Sequence, residues 1–298
     1  MIIDMHGHLG DILYPGGGRL IFETDIKFPA SSLLHRFYEK NLFRETPATR
    51  MISAVFPMMT VNCERRRDSA ATLENFRASL RGTAIGLCVC APIAPNNTFE
   101  DILRAQKEDP HIIAFTSPDF STNRTAELLS GDLPRAAGVK IHPILQETEA
   151  DSKKVMEAVE VISGCPKPVL LHAGQAFYYR ASEKKNRFTS FASIEKIERL
   201  VAAFPRVQFI IGHAGLDEIG HVLNSLSKYK NAYVDTSFQP PEAIRALISA
   251  FGGNRVMFGS DWPYGLRVPA IKAVKEACGA DAALQRAVFF ENAAELLN

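Results

Sequence analysis

Eight short apolar runs, each followed by turn residues and then by a mixed polar and apolar stretch, constrain the fold of this chain more than any other feature of its sequence. Such runs are typical of parallel strands joined by crossover helices. Right-handed crossovers between eight parallel strands close a barrel, so the sequence predicts an α/β protein with a TIM (β/α)8 barrel. The predicted strands are 2–5, 84–91, 112–116, 137–141, 168–171, 207–211, 232–235 and 255–259.

The segments between the strands predict the helices. A ninth apolar run, 51–59, fits a strand or a helix equally well, because short apolar runs do not distinguish the two. We interpret it as helical, since a barrel of this kind closes with eight strands. Residues 9–65 are predicted to form a long loop after the first strand, on the face where barrel active sites lie. Helices are predicted at 66–81, 98–108, 122–131, 151–163, 191–204, 217–228, 241–251 and 283–297.

Length and composition limit the kind of protein. The 298 residues fit one barrel domain, 1–298, and the net charge of +1 gives no basic surface for nucleic acid. No apolar stretch is long enough to cross a membrane, and the N-terminus lacks the features of a secretory signal. The five cysteines lack metal-ligand spacing, and Cys88 and Cys90 are predicted to be buried thiols. We therefore expect a cytoplasmic protein that binds a small-molecule substrate, alone or as a homo-oligomer.

A His-x-His motif near the N-terminus is the strongest chemical signal. His6 and His8 end the first predicted strand, and Gly7 separates them. Side chains two residues apart on a strand point to the same side, so both imidazoles can face one point in the barrel mouth. Imidazole nitrogen is a standard zinc ligand. The motif alone fits two surface histidines just as well, so its interpretation depends on the rest of the chain.

Further polar residues end predicted strands in the same way. His172 follows the run 168–171, His213 follows 207–211 with one glycine between, and Asp261 follows 255–259 with one serine between. The carboxyl ends of all strands in a barrel meet at one rim. Five of the eight histidines lie at strand ends, which favours a shared polar site over chance placement: His6, His8, His142, His172 and His213.

Several segments resemble the amidohydrolase-related family of the amidohydrolase superfamily. They are IDMHGH at 3–8, GVKIHP at 138–143, HAG at 172–174 and 213–215, and GSDWP at 259–263. The likeness covers nearly the whole chain in the right order, apart from 9–65. Relatives in that family include aminocarboxymuconate-semialdehyde decarboxylase, resorcylate decarboxylases and pyrone-dicarboxylate lactonase. The resemblance is specific for the barrel and the superfamily, and less specific for the reaction.

The resemblance implies one divalent metal ion bound by His6, His8, His172 and Asp261. Zinc is the expected ion, with manganese as the alternative. His213 and Asp261 would then be the catalytic pair: Asp261 moves a proton, and His213 orients the attacking water or stabilises the developing oxyanion. A metal lowers the pKa of bound water from about 15.7 to about 7, which makes hydrolysis at neutral pH feasible.

Lys140, His142 and Arg180 are predicted to contact the substrate. Lys140 shares its strand face with His142, because one residue separates them. In binuclear members of the superfamily a lysine on the fourth strand is carboxylated and bridges two metals. We do not expect a second metal here, because this branch resembles the mononuclear members. A solvated rim lysine and a structural histidine are the alternative interpretations.

Four functions compete for this site. The first is hydrolysis of an amide, ester or lactone of a small organic acid; the second is release of carbon dioxide from an unsaturated or aromatic carboxylate. A barrel that only binds a ligand should have lost metal ligands, whereas all four are present. A barrel deoxyribonuclease should carry a bridging glutamate where this chain has Lys140. We therefore predict a metal-dependent hydrolase, with a decarboxylase as the alternative.

Overall fold

Eight parallel strands form one sheet in the computed structural model, which describes residues 1–30, 57–179, 183 and 186–298. The strands pair in sequence order, as a β/α repeat requires. All eight predicted strands are confirmed to within about two residues at most ends. They are β1 (Ile2–Asp4), β2 (Ile85–Cys90), β3 (Ile112–Thr116), β4 (Gly138–Ile141), β5 (Val169–His172), β6 (Phe209–Gly212), β7 (Ala232–Asp235) and β8 (Val256–Met257).

Backbone hydrogen bonds join β1 to β8 and close the barrel. The amide of Met5 donates to the carbonyl of Phe258 (2.9 Å), just beyond the two strands. Further along the same seam, His8 donates to the carbonyl of Trp262 (2.7 Å) and Asp261 donates to that of His6 (2.8 Å). The predicted barrel is thus confirmed, and its seam runs through residues that were predicted to bind metal.

Helices cover the outside of the strands. Side-chain caps set several of their N-termini: Thr72, Thr98 and Ser152 each accept a hydrogen bond from a backbone amide three residues on. The helices are α1 (Pro57–Asp68), α2 (Leu73–Leu80), α3 (Phe99–Glu108), α4 (Thr125–Asp132), α5 (Lys153–Ser163), α6 (Ile194–Ala203), α7 (Ile219–Ser225), α8 (Pro241–Phe251), α9 (Arg267–Cys278), α10 (Ala282–Arg286) and α11 (Asn292–Leu297). None of the helices in the described ranges combines the length and apolar character needed to cross a membrane.

Three sequence predictions about helices need correction. The single helix predicted at 66–81 is two helices, because Thr72 caps a new helix after α1 has ended at Asp68. The C-terminal helix predicted at 283–297 is interrupted by a π-helical turn, Ala287–Glu291. Helix α9 was not predicted, and it begins at Arg267 with Pro269 in its first turn, where proline is tolerated.

The long segment after β1 is only partly loop. It contains a 3-10 helix, Gly17–Phe22, and the first part of α1. Of the run 51–59, residues 57–59 are helical and the rest lie outside the described residues.

Alternation along the strands separates two layers of the core. Val139, Ile141 and Leu171 face the helices in the largest apolar cluster. Leu170 and Ile210 belong to a different cluster, together with residues of α11. Because neighbouring strand residues point to opposite faces, Lys140 and His172 continue the inward-facing series. The fold thereby turns polar side chains toward the barrel mouth.

Candidate active site

The polar strand ends meet in one buried cluster. His6 and His8 follow β1, His172 ends β5 and His213 follows β6, and all four are at most 3% exposed. The ring centroids of His6 and His213 are 4.6 Å apart, those of His6 and His8 5.4 Å, and those of His172 and His213 5.1 Å. His142 stacks on His172 at 4.0 Å. All five strand-end histidines are therefore brought together.

One group of atoms in the cluster is suited to a metal ion. The ligand atoms of His6, His8 and Asp261 all lie within 4.8 Å of one another. Asp261 Oδ1 is 3.3 Å from His8 Nε2 and 3.5 Å from His6 Nε2. This oxygen is buried and has no hydrogen-bond partner among the described residues. Leaving a buried carboxylate oxygen unpaired is costly, so a cation between these atoms fits the donor set.

Hydrogen bonds fix the tautomers of the two histidines from β1. His6 Nδ1 donates to Asp235 Oδ2 (2.8 Å), and His8 Nδ1 donates to the carbonyl of Ala91 (2.7 Å). The proton on Nδ1 leaves the lone pair on Nε2 in each ring. The lone pair of His8 faces Asp261, whereas that of His6 accepts from Lys140 Nζ (2.7 Å), which an ion bound at His6 Nε2 would replace. Hydrogen bonds of this kind, made by the ring nitrogen that does not bind the metal, orient the histidines of metal sites.

The other two histidines have their protons fixed in the same way. His172 Nε2 lies 3.2 Å from the carbonyl of Gly174, which leaves its lone pair on Nδ1, the atom 3.5 Å from the hydroxyl of Tyr178. His213 Nδ1 lies 2.8 Å from Ser237 Oγ. His172 belongs to neither of the two potential metal groups found among the described residues, so it lies farther from the proposed ion position than the sequence implied.

Lys140 lies inside the cluster and not at a solvated rim. Its Nζ is 2.7 Å from His6 Nε2, and the residue is completely buried. Burial lowers the pKa of Lys140 to about 8, against the opposing effect of Asp261 and Asp235. An ammonium group so close to His6 can neutralise an anionic ligand that enters the cluster.

Burial also controls the charge of the imidazoles. It lowers the pKa of His6, His142, His172 and His213 well below the usual value of 6.5, and the charge of Lys140 adds to this effect. Burial raises the pKa of Asp261. The four histidines are therefore neutral at pH 7, which is the form that binds metal.

Glycines make room for the rings. A Cβ on Gly212 would lie 3.2 Å from His6 Cε1 and 3.0 Å from the carbonyl oxygen of Leu171. A Cβ on Gly7 would lie 3.1 Å from the sulfur of Cys88. All three distances are shorter than an ordinary van der Waals contact. The glycines beside the histidines are thus part of the packing of the site.

Three aromatic side chains from different loops surround the imidazoles. The ring centroid of Tyr178 is 5.2 Å from that of His142, that of Phe238 is 5.3 Å from His213, and that of Tyr264 is 6.3 Å from His8. Tyr178 also places its hydroxyl 3.1 Å from His142 Nε2. The polar cluster therefore has aromatic walls.

Arg180, the third predicted substrate contact, lies outside the described residues. The sequence reasoning did not single out Asp235 or Ser237, although Asp235 ends β7 in the way that Asp261 follows β8. Applying the strand-end rule to every carboxylate would have found Asp235. Tyr178 is not among the substrate contacts predicted from the sequence, because its position over His142 depends on the path of the loop.

Comparisons with known proteins identify the family and the fold. A family model described as amidohydrolase matches residues 3–298. No curated protein matches the chain in sequence. In structure, the chain is similar to 5-carboxyvanillate decarboxylase from Sphingomonas paucimobilis, with 16% identity, a TM-score of 0.65, and 99% of this chain and 98% of the other covered.

Two further similar structures were solved with manganese. One is 5-carboxyvanillate decarboxylase from Novosphingobium aromaticivorans with 4-hydroxy-3-methoxy-5-nitrobenzoic acid: 14% identity, TM-score 0.65, covering 100% of this chain and 96% of the other. The other is dihydroxybenzoic acid decarboxylase from a Polaromonas species with 2-nitroresorcinol: 14% identity, TM-score 0.61, covering 85% and 93%. At these identities the likeness establishes the fold.

Proposed function

The chain belongs to the amidohydrolase family, and we propose that within this family it is a metal-dependent decarboxylase that releases carbon dioxide from an aromatic or unsaturated carboxylate. The sequence favoured hydrolysis and kept decarboxylation as the alternative. The aromatic walls of the site and the decarboxylases among the similar structures reverse that order.

The observation that carries the proposal is the combination of a buried polar cluster with an aromatic side chain beside each of three of its imidazoles. Tyr178, Phe238 and Tyr264 can pack against a planar ring, and ring pairs prefer centroid separations of about 4.5 to 7 Å. The carboxylate loses its charge as it becomes carbon dioxide, so a site that removes water from the carboxylate favours the reaction. Hydrolysis would instead need access for an attacking water molecule.

His6, His8 and Asp261 are the residues that would hold one divalent ion. His172, the fourth predicted ligand, lies outside this group with its Nε2 3.2 Å from the carbonyl of Gly174, and its ring would have to turn to reach the ion. When bound, the ion supplies positive charge that binds the substrate's acidic groups and stabilises the negative charge that develops in the reaction. Imidazoles suit zinc and carboxylates suit manganese, and manganese is present in two similar decarboxylases. We propose that either ion supports activity, with manganese the better candidate.

The remaining charged residues have separate tasks. Lys140, buried beside His6, is placed to neutralise the carboxylate of the incoming substrate. In the reaction the carbon that bears the carboxylate takes a proton, the bond to the carboxylate breaks, and carbon dioxide leaves, so the ring regains its electron pair. Asp261, whose Oδ2 is 3.9 Å from His213 Nδ1, is the proposed donor of that proton and regains it from solvent.

Hydrolysis of an amide, ester or lactone is the second candidate. The description of the matching family favours it, and the same histidines and Asp261 could serve an attacking water. In that case Asp261 would accept a proton from water and His213 would stabilise the oxyanion.

Product analysis separates the two candidates. The metal-loaded protein, with manganese or zinc added, is incubated with 5-carboxyvanillate, with dihydroxybenzoates, and with aromatic lactones in water enriched in oxygen-18. We expect carbon dioxide release from at least one carboxylate and no label in ring-opened acids. Incorporation of label without carbon dioxide release would favour the hydrolase.

Two variants test the assignment of residues. His172→Ala and Asp261→Asn should each lower turnover by at least about 100-fold, while circular dichroism and molecular size stay as in the wild type. His221→Gln, on the exposed face of α7, is the matched control and should retain full activity. Full activity of either site variant would remove that residue from the mechanism.

A further inference from the structure

Asp235 accepts hydrogen bonds from four donors at the end of β7. Its Oδ2 accepts from His6 Nδ1 (2.8 Å) and from the backbone amide of His213 (3.2 Å). Its Oδ1 accepts from the backbone amide of Ser237 (2.9 Å) and from the hydroxyl of Ser237. All four of these groups donate, so both carboxylate oxygens of Asp235 act as acceptors.

Ser237 extends this set of hydrogen bonds to a second imidazole. Because its hydroxyl proton points to Asp235, its oxygen accepts from His213 Nδ1 (2.8 Å). The His213 lone pair is then on Nε2. One carboxylate thus determines which nitrogen carries the proton in His6 and, through Ser237, in His213.

We propose that Asp235 and Ser237 are positioning residues: Asp235 presents His6 Nε2 to the metal, and Ser237 presents His213 Nε2 to the substrate. The inference rests on the metal site proposed above and does not depend on which reaction follows. It also explains a second potential metal group, formed by His6, His213 and Asp235. Because the oxygens of Asp235 are already occupied by four donors, this group orients the histidines and does not bind a second ion.

The backbone around Asp235 leaves little freedom. The residue is completely buried, and a Cβ on Gly259 would lie 2.9 Å from Asp235 Oδ1. A side chain held this tightly can keep an imidazole in one orientation. Partners of this kind typically change metal affinity by about 10- to 100-fold when they are replaced.

Asp235→Asn is the main test, since asparagine keeps the shape but has only one accepting atom. Metal affinity is measured by competition of manganese or zinc against a chelator, without substrate. We expect affinity to fall by about 10- to 100-fold, with one ion bound per wild-type chain. Nitrogen-15 NMR of the imidazoles provides a second measurement without metal: His6 and His213 should be Nδ1-protonated in the wild type. Asp235→Asn should shift the imidazole nitrogen signals of His6, and Ser237→Ala should shift only those of His213.

Asp4→Asn is the matched control. Asp4 is also completely buried at a strand end and accepts from the amide (2.8 Å) and hydroxyl (2.6 Å) of a serine, Ser260. It also accepts weakly from the backbone amide of His6 (3.4 Å), but it bonds to no imidazole. It should lower stability while leaving metal affinity within about threefold of the wild type.

Several results would overturn the inference. They are unchanged metal affinity in folded Asp235→Asn, an equal loss of affinity in Asp4→Asn, two ions per wild-type chain, or Nε2 protonation of His6. If Asp235→Asn does not fold, Ser237→Ala decides through the NMR signal of His213. A protein that binds metal as expected but releases no carbon dioxide would contradict the proposed reaction and leave the positioning roles intact.

Discussion

At the residue scale, the site depends on small differences in space and in proton position. Each of four imidazoles gives one nitrogen to an acceptor in the protein and keeps the other for the cluster. Such orientation needs close packing, which the neighbouring glycines permit. The orientation of each imidazole in the cluster therefore depends on the residues packed beside it.

Gly212→Ala should displace the imidazole ring of His6 from its position in the site. The new methyl group would lie 3.2 Å from His6 Cε1, so the imidazole must shift by a few tenths of an ångström. We expect metal affinity to fall by about tenfold and the free energy of unfolding to fall by about 1 to 3 kcal/mol. Chelator competition and urea denaturation measure the two effects.

Gly220→Ala is the control for this substitution. Gly220 lies in α7, and a Cβ there has nothing within 4 Å. It should leave metal affinity unchanged and stabilise the protein by about 0.5 to 1 kcal/mol, because alanine is the better helix former. Equal effects of the two alanines would show that space around His6 is unimportant.

The strand-end rule found the histidines and Asp261 from the sequence, because parallel strands bring their carboxyl ends together whatever the detailed packing. It could not place His172 relative to the other ligands, nor show that Lys140 contacts His6. Those facts depend on side-chain rotamers and on hydrogen bonds across more than 100 residues, such as the one between Lys140 and His6. No local pattern records them.

At the element scale, α9 shows what sequence periodicity misses. Its first residue, Arg267, is buried and donates to Asp4 Oδ2 (3.2 Å). The guanidinium also lies over the rings of Phe76 (4.7 Å) and Trp262 (5.1 Å). The helix is thus joined to β1 by a charged contact, which a search for apolar periodicity does not detect.

Arg267→Met should be strongly destabilising. It leaves Asp4 as a buried carboxylate without its cationic partner, and breaking such a pair costs about 3 to 5 kcal/mol. Urea denaturation of the metal-free protein measures the loss. The double variant with Asp4→Asn should recover part of it, since the unpaired charge is gone. A loss below about 1 kcal/mol for Arg267→Met would mean that the pair contributes little.

At the scale of the whole molecule, the buried histidines make stability depend on pH. Their folded pKa values are lowered by burial, so the unfolded chain binds more protons below pH 6.5. Stability is therefore at its maximum above pH 6.5 and falls as the pH drops through 6.5 toward the folded values. The loss approaches about 1.4 kcal/mol per histidine per pH unit.

Denaturation of the metal-free protein between pH 7.5 and pH 5 provides the measurement. His142→Gln should reduce the slope of stability against pH by the contribution of one histidine. Gly220→Ala, a substitution in α7 that changes no titratable group, should leave the slope unchanged. The raised pKa values of the buried carboxyls of Asp4, Asp68 and Asp261 act in the opposite direction, so the difference in slope between His142→Gln and the wild type is the decisive quantity. An unchanged slope in His142→Gln would show that folding does not lower the pKa of His142.

The seam between β1 and β8 gives the proposed ion a mechanical role. His6 and His8 stand on one side of this junction and Asp261 on the other, with backbone hydrogen bonds between them. A cation bound by these side chains would link the first strand of the barrel to the last and close a loop of roughly 250 residues. A long-range disulfide imposes a comparable constraint, for which the entropic gain is about 5 kcal/mol. The ion would thereby slow the separation of β1 from β8, the first and last strands of the barrel.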